Sequence, residues 1–191
     1  FGEELARKEK NHINKNKENM LVIGAPNTGI PIGKKFAECL ELPYGQFIMK
    51  RKGTHRSFIQ PNNESRLAEC YRKFIIDENL NIEDKIVFFV HDSFVRGNTI
   101  STLINLLQSF KPREIHFRIA SPEVKFPCFY GIDIPTSDEL IMNHYKSGEL
   151  AQKLGIQSLV FLSTGEMETV LKKNMKLDKK KICMACFDGE Y

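Results

Sequence analysis

A chain of 191 residues has room for one domain, or one with a small appendage, around a single continuous core. Apolar residues at 41%, aromatics at 10% and charged residues at 27% exclude collagen-like, low-complexity and wholly disordered chains. The longest strongly apolar run, Ile86 to Val90, falls far short of the ~20 residues a membrane span needs. The net charge of +4 suits an anionic small molecule as well as nucleic acid.

In chain order, Phe1, Leu5 and the charged run through Lys17 read as a helix followed by a linker. Residues 1–19 are therefore expected to be the end of a preceding segment, and the chain a piece of a longer one. From Met20, short apolar runs alternate with amphipathic stretches, the rhythm of βαβ units and a parallel sheet. Strands are predicted at Met20 to Ile23, Gln46 to Met49, Lys85 to Val90, Glu114 to Ile119 and Ser158 to Leu162. Helices are predicted at Pro31 to Glu41, Glu64 to Ile76, Thr99 to Phe110, Ser147 to Leu154 and Glu166 to Met175, several with first-turn chemistry at their start. Leu103, Leu106, Leu107 and Phe110 make one buried stripe at helical spacing. The polar, basic stretch from Lys50 to Asn63 has no periodicity and is expected to be a mobile loop. The domain itself is assigned to residues 20–170. Leu171 to Lys181, with six lysines and one aspartate, opens a basic linker and cysteine-bearing tail over 171–191. Five cysteines (Cys39, Cys70, Cys128, Cys183, Cys186), an odd number with no leader in view, argue against a disulfide framework and for a reducing cytoplasm.

The densest chemistry runs from Ile86 to Thr99. Five apolar residues make a buried strand, whose carboxyl end delivers Asp92 before a turn rich in hydroxyl, amide and Gly residues opens a helix. In open α/β sheets ligands bind beyond the carboxyl ends of strands, and free N–H groups at a helix start hold phosphate. Ser93 and Thr99 add hydroxyl donors, and Gly97 lets the backbone approach an oxyanion. A carboxylate before such a cradle suits a sugar phosphate, with ribose hydroxyls or Mg²⁺ on Asp92. An ordinary strand, turn and capped helix is the competing reading. Cys183-x-x-Cys186, with Cys128 on a loop within reach, is open between zinc, redox and cluster chemistry. His12, His55, His116 and His144 show no ligand spacing.

The apolar strand followed by Asp-Ser-x-Val-Arg-Gly-x-Thr resembles the 5-phosphoribosyl 1-pyrophosphate (PRPP) signature of type I phosphoribosyltransferases. Pro26 to Pro31 (PNTGIP), Arg56 to Pro61 (RSFIQP), Arg118 to Pro122 (RIASP), Phe126 to Asp133 (FPCFYGID) and Cys183 to Tyr191 (CMACFDGEY) extend the likeness. Their order resembles that of the amidophosphoribosyltransferase family, in its iron-sulfur branch. The resemblance implies an α/β fold of the type I phosphoribosyltransferase kind, with a mainly parallel sheet of about five strands flanked by helices.

It implies roles residue by residue. Ser93, Arg96, Gly97, Asn98 and Thr99 would bind the 5′-phosphate, with Asp92 on the ribose and Mg²⁺. Asn27, Thr28 and Gly29 would bind pyrophosphate. Lys50, Arg51, Lys52 and Arg56 would supply cations from a closing lid, with Arg56 and Asp92 as catalytic groups. Such a lid neutralises pyrophosphate and excludes water. Cys128, Cys183 and Cys186 would hold a [4Fe-4S] cluster whose fourth ligand lies outside this chain, and the tail would pack near FPCFYGID. The reaction implied is displacement of pyrophosphate from PRPP by ammonia to give 5-phosphoribosylamine, opening purine synthesis, with ammonia supplied by a glutaminase domain absent here. Purine nucleotides as feedback inhibitors and a homo-oligomer follow from the same resemblance, with no membrane and no nucleic-acid partner.

The chain also departs from the family pattern. His91 stands where a second acidic residue is usual, and imidazole is no hard oxygen ligand for Mg²⁺. Asn27-Thr28 replaces Asp-Ser, Asn98 replaces Thr, Arg51, Lys52 and Gly53 replace Asn-Arg-Tyr, and His55 takes a glycine position. By position, Thr28 and His91 are weaker metal candidates than Asp92. Besides the synthase, two alternatives stay open: a nucleobase-salvage phosphoribosyltransferase, and a catalytically impaired module that keeps PRPP or nucleotide affinity or binds RNA.

Overall fold

The computed structural model describes residues 1–10, 13, 17–51, 74–77, 79–134, 136–175 and 182–191. Its centre is a five-stranded, all-parallel sheet in the order β2-β1-β5-β6-β7. The strands are β1 (Met20–Gly24), β2 (Tyr44–Gly45), β5 (Ile86–His91), β6 (Glu114–Ile119) and β7 (Ser158–Phe161). A separate antiparallel pair joins β3 (Ile48–Lys50) to β4 (Phe74–Ile76). The helices are α1 (Gly2–Glu9), α2 (Gly29–Leu40), α3 (Asn98–Ser109), α4 (Ser147–Lys153), α5 (Thr164–Met175) and the short α6 (Ala185–Asp188).

Period-two alternation sends neighbouring side chains of each strand to opposite faces, and both faces are covered. Leu21, Ile23, Val87, Phe89, Ile115, Phe117 and Ile119 join the predicted stripe of α3 (Leu103, Leu106 and Leu107) and α4 in one apolar core. Met20, Val22, Phe88 and Val90 pack on the other side against α2 and against Leu5 and Ala6 of α1. The segment expected to be only the end of a preceding helix is thus docked on the domain, with Leu5 and Ala6 fully buried.

Four predicted strands and four predicted helices form with ends within two residues of those expected, Glu114 to Ile119 without any shift. Gln46 to Met49 does not form as one strand. Gln46 accepts from the Tyr44 hydroxyl at 2.9 Å and donates to the Ile48 carbonyl at 2.8 Å; β2 has ended at Gly45, and only Ile48 and Met49 of the run lie in a strand, β3. The predicted helix Glu64 to Ile76 ends instead in strand β4: Phe74 is buried, and the β-branched Ile75 and Ile76 suit a ladder with β3. Its first part lies outside the described residues, as do Lys52, Arg56 and most of the expected mobile loop. No helix among the described residues is long and apolar enough to cross a membrane.

Candidate active site

β1 and β5 are adjacent, yet the chain leaves β1 towards β2 and leaves β5 towards β6. The strand order reverses between them, so the crevice beyond their carboxyl ends is the switch point where open α/β sheets take ligands. Both sequence-predicted turns lie there.

After β1, Ala25 donates to the Val90 carbonyl at 2.8 Å, and Pro26-Asn27, joined by a cis peptide bond, leads to Thr28 at the start of α2. A side chain at Gly29 would stand 2.5 Å from the Val90 carbonyl oxygen, so only glycine lets α2 begin so close to β5. After β5, Phe94 is fully buried and anchors the turn. Gly97 has φ of 81°, and a Cβ there would lie 2.7 Å from Ile141 Cδ1. It precedes α3 with no side-chain cap on the helix, leaving first-turn N–H groups for an anion. Thr99 is exposed in that first turn.

Asp92 links the two turns. Its Oδ1 is 2.7 Å from His91 Nδ1, and it also accepts from the Thr28 hydroxyl. Burial works to raise the Asp92 carboxyl, but the hydrogen bond and charge of His91, with the Thr28 hydroxyl, outweigh it and bring it down to about 2. His91 Nδ1 also lies 3.3 Å from the Ser93 amide nitrogen. A ring nitrogen 2.7 Å from a carboxylate oxygen carries its proton, so the Asp92 contact governs and Nδ1 accepts nothing from Ser93. The residue expected to be a metal ligand by position is thus engaged with the carboxylate beside it. This donor set does not fit a protein-held Mg²⁺, which takes hard oxygen ligands in near-octahedral geometry.

Arg96 is engaged by protein partners. Its Nε lies 2.5 Å from Glu139 Oε2, and it donates to the Asp133 carbonyl at 3.1 Å. Glu139 had no motif to mark it, and Asp133 stood only as the last residue of FPCFYGID; the fold brings both to the phosphate turn. Lys50 and Arg51, at the end of β3, are exposed.

The expected return of the tail is present. Lys125 and Phe126 donate to the Cys186 carbonyl at 3.0 and 3.1 Å, and Cys128 and Cys186 flank a small core of Val124, Ile134 and Leu140 that also takes Val95 of the phosphate turn. Burial, then the neighbouring Cys128 and Cys183, push the Cys186 thiol up. Backbone N–H groups of Ile132, Tyr130 and Gly131 hold the Cys128 thiol down. The three sulfurs therefore share one neighbourhood, and amides directed at sulfur suit a thiolate ligand. Among the described residues, no three ligating side chains close on a single point. The donor chemistry fits an all-sulfur cluster and not a hard cation.

No protein-family model matches the chain. Mouse amidophosphoribosyltransferase is 35% identical over 193 aligned residues, covering 90% of this chain and 37% of that protein. The human protein is 39% identical over 161, covering 84% and 31%. The PRPP amidotransferase of Bacillus subtilis, solved with ADP and GMP, superposes with a TM-score of 0.81 at 31% identity over 100% of this chain and 40% of that one. The chain belongs to the amidophosphoribosyltransferase family. It spans about a third of the length of the curated relatives it matches. A structure of the allosteric regulatory enzyme of purine biosynthesis gives the same TM-score of 0.81 over 100% of this chain and 39% of that one. The expected type I phosphoribosyltransferase fold is confirmed, and the salvage alternative is not favoured.

Proposed function

We propose that this chain is the phosphoribosyl-transferring part of an amidophosphoribosyltransferase, displacing pyrophosphate from PRPP with ammonia to give 5-phosphoribosylamine. The observation that carries the reading is the pair of turns at the switch point between β1 and β5, joined through Asp92 and Thr28. The N–H groups from Ser93 into α3, with the Thr99 hydroxyl, take the 5′-phosphate, and Asn98 lies in the same turn. Asp92 takes the ribose hydroxyls, and Asn27 to Gly29 takes pyrophosphate. Arg96 holds the phosphate turn through Glu139. Lys50, Arg51, Lys52 and Arg56 contribute the cations that neutralise the leaving group.

Ammonia attacks C1 as the C1–O bond to pyrophosphate breaks; the departing oxygen keeps the electron pair and the nitrogen loses a proton to water. The charge separated at the ribose is met by pre-placed groups, and no side chain need act as a covalent nucleophile. Mg²⁺ enters as the PRPP complex. A [4Fe-4S] cluster on Cys128, Cys183 and Cys186, with its fourth ligand outside the chain, would cross-link the tail to the 126–133 loop. A glutaminase domain as ammonia source, purine nucleotides as inhibitors, a homo-oligomer and a cytoplasmic location belong to the same reading. The Bacillus relative was solved with ADP and GMP, which supports the nucleotide part.

The test is ammonia-dependent pyrophosphate release from PRPP by the purified chain. Turnover that Asp92→Asn abolishes is expected; no PRPP binding and no turnover would overturn the reading.

A further inference from the structure

The position before Asp92 distinguishes this chain from the usual family pattern, and the geometry there gives it a role. His91 is largely buried, with its side chain 16% exposed, while Asp92 beside it is 39% exposed and open to the crevice. Nδ1 of His91 binds Oδ1 of Asp92 at 2.7 Å, and the Thr28 hydroxyl binds the same carboxylate. A carboxylate held by two protein donors has a fixed orientation before any ligand arrives. The function usually given to a divalent cation between two acidic side chains, fixing the carboxylate against the sugar, is then already performed. A Mg²⁺ ion here would find one partly engaged carboxylate and an imidazole, where it prefers several unengaged oxygens.

We propose that the ribose subsite of this chain needs no metal held by the protein: His91 positions Asp92, and Asp92 takes the sugar hydroxyls directly. This rests on the reading of the crevice as a PRPP site. His91 is a positioning residue, acting on the sugar only through Asp92.

Calorimetric titration of the chain with ribose 5-phosphate, in EDTA and in Mg²⁺, tests it. Ribose 5-phosphate lacks the pyrophosphate that carries Mg²⁺ into the site, so any metal dependence reports on the protein. Affinity of the wild-type chain is expected to be equal within about twofold in the two media. His91→Asp is expected to lose about tenfold in EDTA and to regain part of it with Mg²⁺, a change of one decade in Kd. His91→Asn, whose amide offers a donor near the place of Nδ1, recovers most of what His91→Asp loses. A direct readout is Mn²⁺ binding by electron paramagnetic resonance, with none expected at this site in the wild type.

Three results would overturn the proposal while leaving the PRPP-site reading intact. They are a tenfold Mg²⁺ dependence in the wild type, Mn²⁺ bound by the wild type and released by Asp92→Asn, or equal affinities of wild type and His91→Asp in EDTA. If neither ribose 5-phosphate nor PRPP binds the wild type or the variants, the PRPP-site reading fails and the proposal with it.

Discussion

On one face of the sheet Leu21, Ile23, Val87, Phe89, Ile115 and Phe117 pack among the apolar side chains of α3 and α4. On the other, beneath α1, Arg118 and His116 of β6 and Ser158 of β7 lie beside Phe88. Arg118 donates to both oxygens of Glu9 at 2.8 and 2.9 Å and to Ser158 Oγ at 2.8 Å. Its guanidinium lies 5.4 Å from the Phe88 ring. The first face is closed by segments close in sequence to its strands. The second depends on a carboxylate 109 residues away, on a helix that composition alone leaves outside the domain. A buried charge left without its partner costs more than the pair contributes, so α1 is energetically part of the sheet.

The largest expected effects test that difference directly. Arg118→Met strands Glu9 without a cation and should cost about 3–5 kcal/mol in urea unfolding. Adding Glu9→Leu should return most of the loss, since an apolar pair of similar volume tolerates the same burial. On the opposite face Phe89→Ala should cost a similar ~3–5 kcal/mol, with no second polar change able to restore it. Recovery on both faces, or on neither, would remove the distinction.

A smaller effect asks how far the site draws on the apolar face. Gly97 rests on Phe94 and Ile141, both part of that core, in a left-handed conformation. Gly97→Ala is therefore expected to cost about 1–3 kcal/mol and to weaken ribose 5-phosphate binding, because the turn must shift. Smaller again is the Arg96–Glu139 pair. If Arg96 acts by holding the turn, Arg96→Ala and Glu139→Ala lower ribose 5-phosphate affinity alike and the double variant adds little, with a coupling of about 0.5–1 kcal/mol. If Arg96 touches the phosphate itself, Glu139→Ala leaves affinity nearly unchanged.

Much of this could be read before the fold was seen, for physical reasons that differ by region. The strands β1, β5 and β7 are largely apolar runs, β6 alternates Ile115, Phe117 and Ile119 with polar residues, and the two ligand turns announce themselves through Gly, Pro and hydroxyl residues at strand ends. His91 was legible as a departure, but its hydrogen bond to Asp92 was not, because adjacent residues in a strand normally point to opposite faces. Here the strand ends at His91, and the turn brings the two side chains together. The interruption at Gln46 was hidden because its side-chain bonds to Tyr44 and Ile48 leave no mark in the hydrophobic periodicity. Glu9 and Glu139 had no signal in the sequence, since their partners come from distant elements, and the FPCFYGID motif that ends at Asp133 did not reveal its contact with Arg96.

The polar face also predicts a pH response that the apolar face lacks. His116 is stacked on Phe88 at 5.0 Å, with Nδ1 2.8 Å from Ser158 Oγ and Nε2 3.0 Å from Glu114 Oε2. Arg118 donates to Ser158 Oγ, which frees the Ser158 hydroxyl proton for Nδ1, and Nε2–H then faces Glu114; a neutral ring satisfies every group. Burial lowers the His116 pKa below 6.5, with Arg118 acting the same way and Glu114 and Glu9 opposing. The unfolded chain therefore binds this proton more readily than the folded one. The stability associated with His116 is complete above pH 6.5 and declines as the pH falls from there towards the folded-state pKa. Thermal unfolding of the wild type should accordingly show Tm dropping over that window more steeply than in His116→Gln, where the proton-linked part is gone. Parallel pH profiles of the two proteins would show that the ring is not held neutral beneath α1.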